Sequence, residues 1–187
     1  KSIMEIKITT KHMLQVLHVL SWIIFVGLCI TAGGIIFNAI FTLMVNPIAA
    51  KKFWQEIDLS SLLAFDKGHF MTQTLLISIV AIMKALLFYL IVKILHSKKF
   101  NLKEPFNVEV QRFISNMAYL AIGIGVFSYW GADYAQWLTS QGVTMPDAQH
   151  MEIGGADVWL FMGIILLVIA QIFKRGVELQ SENDLTI

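Results

Sequence analysis

From Leu14 to Val45 the chain carries no charged residue, and that fact restricts its fold more than any other. Crossing the hydrocarbon of a bilayer takes about 20 apolar residues, since roughly 30 Å is covered at about 1.5 Å per residue. This run can span and still tilt or project past the headgroups. It is too long for the apolar core of a secretory leader, and no small-residue cleavage site follows it, so it reads as a helix that stays. Three more runs follow: Phe70 to Leu95, Phe113 to Leu138, and Val158 to Phe173, the last reaching spanning length once Gly154 to Asp157 are added. A soluble domain is about a quarter charged. At 14% charged and 57% hydrophobic, this chain lacks the ionic surface to cover itself in water. Runs this apolar favour helices over barrel strands, which would alternate lipid-facing and lumen-facing residues.

The expected fold is therefore an all-α, integral membrane four-helix bundle, a single transmembrane domain over 1–187 with spans at 14–45, 70–95, 113–138 and 154–175. Lys and Arg set its orientation. One side would hold Lys1, Lys7, Lys11, Lys93, Lys98, Lys99, Lys103, Arg112, Lys174 and Arg175; the other holds only Lys51, Lys52 and Lys67. Basic residues stay in the cytoplasm, so both termini are expected there. The acidic stretch 176–187 then forms a cytoplasmic tail, a natural place for a soluble partner to dock.

The first external loop, Asn46 to His69, mixes Phe53, Trp54, Ile57, Leu62, Leu63 and Phe65 with Lys51, Lys52, Glu56, Asp58 and Asp66. It reads either as an amphipathic helical segment in the outer interface or as a cap packed over the bundle. Pro47 suits a first helical position. Pro105 bars the second span from continuing through the basic loop 97–111, and Asn107 is placed to cap the third.

Lys84, near the middle of the second span, is the clearest anomaly. A charge there costs about 2.5 to 3.5 kcal/mol on insertion scales. Two readings stay open. Backbone carbonyls and Ser or Asn side chains hold Lys84 as a structural device, or Lys84, Asp133 and Asn38 line a ligand or ion-sensing cavity. His18 and His96 lie at the cytoplasmic ends of adjacent spans, and His69 and His150 at the external face. Haem ligation needs two axial side chains at matching depth, which only the first pair approaches; the second pair, with Asp66 or Asp147, is a candidate external metal site. We expect neither cofactor nor metal. Gly27, Ala32, Gly33 and Gly34, and Ala118 to Ala132 in the third span, permit close helix approach, within the chain or in a homodimer. Cys29 reads as a packing residue. No nucleotide-binding, zinc-protease, hydrolase or prenylation motif is present, so catalysis is not expected.

Two segments carry a family resemblance. Ala170, Ile172, Phe173, Arg175, Gly176, Glu178 and Leu179, followed by Asp184, Leu185, Thr186 and Ile187, resemble the C-terminal pattern of bacterial membrane proteins with domain of unknown function 2975. The stretch Glu104 to Ile114 resembles that family's P-F-[ST]-x-E segment, with Asn107 where Ser or Thr is usual. The resemblance implies a multi-pass protein of the bacterial inner (cytoplasmic) membrane, encoded beside a small helix-turn-helix regulator. On that expectation the chain is a membrane sensor or anti-regulator whose partners are the bilayer and the regulator. It would not bind nucleic acid itself. Arg175, Gly176, Glu178, Glu182, Asp184 and Leu185 are its candidate docking residues, acidic enough to suit a basic domain. The alternative is a small transporter, channel or immunity-type protein.

Overall fold

The structure, a computed structural model, describes residues 10–55, 57–97 and 106–184, with side chains from 12 to 182 among them. Lys1, Lys7, Lys98, Lys99, Lys103, Pro105 and Leu185, and the side chains of Lys11 and Asp184, lie outside this set, as does Glu56. The described elements are helical: α1 (Thr10–Met44), a 3-10 turn (Pro47–Lys52), α2 (Ser60–Phe65), α3 (Lys67–His96), α4 (Val108–Ser140) and α5 (Ala156–Asp184). Four of them, α1, α3, α4 and α5, are long and apolar enough to cross a membrane, the pattern of a multi-pass membrane protein.

Local chemistry accounts for the boundaries. Asp66 accepts the His69 N–H at 2.9 Å and starts α3. Asn107 accepts the Val110 N–H at 2.8 Å and starts α4, as its side chain suits it to do. Asn46 caps the 3-10 turn through the Ile48 N–H, with Pro47 in its first turn. Helix α5 does not stop where the apolar stretch ends; it runs through Gly176 to Asp184.

The spanning helices stand in a row. Helix α1 packs on α3, α3 on α4, and α4 most extensively on α5, while among the described residues α1 and α5 do not meet. The expected number of spans is present, but the bundle is open. In lipid this is inexpensive, because apolar side chains gain little by leaving hydrocarbon for one another. The end helices accordingly keep Ile23, Ile30 and Phe37 on α1, and Phe161, Ile164 and Val168 on α5, on the surface. Helix backbones approach closely between α4 and α5. A Cβ on Gly125 would lie 2.6 Å from Leu160, and one on Gly163 would lie 2.9 Å from the Ile122 backbone nitrogen.

Contacts fix the register. His18 meets His96 and Phe25 meets Tyr89; Gly131 lies beside Leu76, and Gly125 beside Leu160. Both ends of the described chain therefore share one face with the α3–α4 connection, here the terminus end. The two loops 45–66 and 141–155 share the other, the loop end. From the Gly125–Leu160 contact, α5 begins about 16 Å below the loop end of α4, at about 1.5 Å per residue. Loop 141–155 descends to meet it, burying Val143, Met151 and Ile153, with Ile153 against Gly131.

Loop 45–66 also turns inward. Ala50, Phe53, Ile57, Leu59 and Leu62 are buried, and Phe53 meets Phe70 edge-on at 5.9 Å. A tight reversal at Gln55, φ 43°, brings Trp54 and Ile57 together. It sets the Trp54 ring on Gly34, where an added Cβ would lie 2.0 Å from the ring. Gly34 is ten residues below the end of α1, so the indole reaches well below that end. Ala50, Phe53, Ile57, Leu59 and Leu62 thus face the protein core, while Val45, Ile48 and Phe65 stay exposed.

Candidate functional site

The two inward-folded loops face each other across a cleft of about 770 Å³. Gln55, Asp58, Ser60 and Ser61 line it from the first loop, and Thr144, Asp147 and His150 from the second. The Thr144 N–H donates to Ser61 Oγ at 3.0 Å and joins the two walls. Asp58 is a fixed anion in this wall. The Ser60 hydroxyl and N–H hold its carboxyl below the ordinary range, helped by Lys51 and opposed by desolvation. His150 Nδ1 lies 3.9 Å from Asp147 Oδ2. The lining offers carboxylates, hydroxyls and an imidazole, which suits a polar or cationic ligand.

The second wall continues to Lys84. The Lys84 ammonium donates to the Glu152 carbonyl at 2.8 Å and lies 3.3 Å from Glu152 Oε2. The lysine side chain is 16% exposed and the glutamate 38%. Glu152 adopts φ 62°, a backbone region that costs a non-glycine residue about 1–2 kcal/mol. A hydrogen bond to a charged group contributes about 1.5–3 kcal/mol, enough to offset that strain. Lys84 leans towards its own helix N-terminus, as helical side chains do, and so reaches the descending loop.

The other cavity candidates lie apart. The Asn38 side chain donates to Gly34 O on its own helix at 2.8 Å, and Asp133 is exposed on α4. Among the described residues no hydrogen bond or ion pair joins any two of Lys84, Asp133 and Asn38. Sequence reasoning did not single out Glu152, because the depth of loop 141–155 decides its role. The available signal was the shortness of the last apolar run, which leaves the preceding loop to reach down to it. Gln73 was also missed. It is fully buried, donates to Gly131 O at 3.2 Å and touches Met151 Sδ at 3.8 Å; an amide within an apolar run was its signal.

The histidines take separate partners. His69 hydrogen-bonds Tyr134 through Nδ1, with Phe65 and Trp137 against its ring, whereas His150 belongs to the cleft. His18 and His96 do come together, ring centroids 5.7 Å apart. The Trp22 indole N–H donates to His18 Nε2 at 3.2 Å.

At the terminus end, Phe106 packs on Gly176, where a Cβ would lie 2.4 Å from its ring, and on Phe173 at 5.3 Å. Gly176 is thus a packing position. Arg175 pairs with Glu178 at 3.1 Å on the exposed face of α5, and Ser181 caps back onto Glu178 O. The two segments that carry the family pattern therefore meet in space.

Residues 44–187 match a family model described as Protein of unknown function (DUF2975). No curated protein and no solved structure matches the chain.

Proposed function

The chain belongs to the family Protein of unknown function (DUF2975), and on that premise we propose that it is a non-enzymatic membrane sensor acting with a small helix-turn-helix regulator. The observation that carries this reading is the hold of Lys84 on Glu152. The loop that lines the cleft is fastened to the middle of a spanning helix. A ligand that moves Asp147 or His150 therefore pulls on α3 through a charged contact two residues beyond His150. Ligands shift such equilibria by their differential affinity for two arrangements, and a charged anchor between loop and helix can separate two.

In this proposal the terminus end faces the cytoplasm of a bacterial inner membrane, as the ten-to-three division of basic residues supports. The regulator docks on the α5 extension beyond Gly176, whose sequence carries the acidic Glu178, Glu182 and Asp184 that suit a basic DNA-binding domain. Packing of Phe106 on Phe173 and Gly176 ties this extension to the base of α4. A tagged full-length chain and one truncated after Gly176, both extracted in detergent from the native host, test the docking. A soluble helix-turn-helix protein should co-purify with the first and be lost from the second. Equal recovery would remove the extension as the docking site.

A further inference from the structure

Two cavities adjoin along the groove between α3 and α4 on the terminus half of the molecule. One, of about 340 Å³, has Lys93, Ser97, Glu109 and Arg112 among its lining. The other, of about 400 Å³, is walled by Leu86, Tyr89, Tyr119 and Leu120. Leu90 and Asn116 line both, so a single groove passes from a charged mouth to an apolar trough.

The charged mouth lies above the apolar trough, as a headgroup lies above the first part of an acyl chain. Lys93 lies three residues from the end of α3, and Arg112 four residues from the start of α4, so both charges sit near the helix ends. Leu86 is seven residues from Lys93, about 10 Å deeper at about 1.5 Å per residue. Among the described residues two cations and one carboxylate line the mouth, and Glu109 has an interaction of its own in the fold. Because the helices stand in a row, the trough opens sideways to the hydrocarbon rather than into a closed core.

We propose that this groove binds one anionic glycerophospholipid, its phosphate held by Lys93 and Arg112 and an acyl chain laid along Leu86, Leu90 and Leu120. Arg offers phosphate a planar fork of donors and Lys a mobile point charge; basic pockets between spanning helices bind anionic headgroups in this way. The charge excess selects an anionic headgroup over a choline one, and the trough selects a lipid over a free anion.

The test is native mass spectrometry of the full chain with added phosphatidylglycerol or phosphatidylcholine. The wild type should retain one phosphatidylglycerol with about thirtyfold preference, the order expected of two basic residues near a headgroup. Lys93→Gln with Arg112→Gln should abolish the preference, and Arg112→Gln alone should reduce it if the double variant fails to fold. Leu90→Trp, which fills the trough and leaves the charges, should lower retention of the lipid. An undiminished preference in the charge variants overturns the proposal. So does displacement of the lipid by excess inorganic phosphate, which would mark a simple anion site.

Discussion

The ammonium of Lys84, midway along α3, donates to the main-chain carbonyl of Glu152, a loop residue that reaches it from the far side of α4 in sequence. The carboxylate of the same glutamate stands 3.3 Å away. A lysine that is costly to place in a span is thus satisfied by one residue through two oxygens.

Those two oxygens are separable by mutation. Glu152→Ala removes the carboxylate and keeps the carbonyl, so it should lower stability in detergent by about 1 kcal/mol. Glu152→Gly loses the same carboxylate but relieves the positive φ, and should cost less than Glu152→Ala. In a double-mutant cycle with Lys84→Met the two changes should couple by about 0.5–1 kcal/mol. Additive effects would mean that the ionic part of the contact contributes nothing.

Neighbouring glycines on α1 should behave in opposite ways. A Cβ on Gly34 collides with the Trp54 ring, whereas one on Gly33 meets nothing within 4 Å. Gly34→Val should destabilise by about 1–3 kcal/mol, as overpacking does, and Trp54→Ala in the same chain should recover part of the loss. Gly33→Ala should be neutral or slightly stabilising. Thermal unfolding of the three variants distinguishes this from a general sensitivity of α1 to larger residues.

The spans were legible because long apolar runs admit only one solution in a bilayer, and the Asn107 cap was legible because capping is local. Lys84 was legible as an anomaly, but its partner was not, since Glu152 gains its role from the depth to which loop 141–155 descends. Gly34 reads from sequence as a site of close helix approach. Its actual neighbour is a loop tryptophan, brought there by the reversal at Gln55. The open row was hidden for a related reason: hydropathy marks which helices meet lipid, not which of them meet each other.

Acid should loosen the loop end. Hydrogen bonds from the Ser60 side chain and backbone lower the pKa of Asp58 below its ordinary 3.8, and the His69 N–H does the same for Asp66. A carboxylate with a depressed folded pKa contributes stability above its unfolded value, and that contribution is lost as pH falls through the folded one. Proteolysis within 53–65 should therefore accelerate on acidification below about pH 4. Asp58→Asn with Asp66→Asn, which keeps an acceptor oxygen at each position, should flatten that dependence.

Hydrogen exchange of the wild type against Lys84→Met tests most directly whether one lysine fastens the cleft to the helices. Faster exchange is predicted at 144–155 and in the adjoining first turns of α5, with 53–65 responding through the Thr144–Ser61 bond. Unchanged exchange at 144–155 in a variant that is otherwise folded would contradict the account.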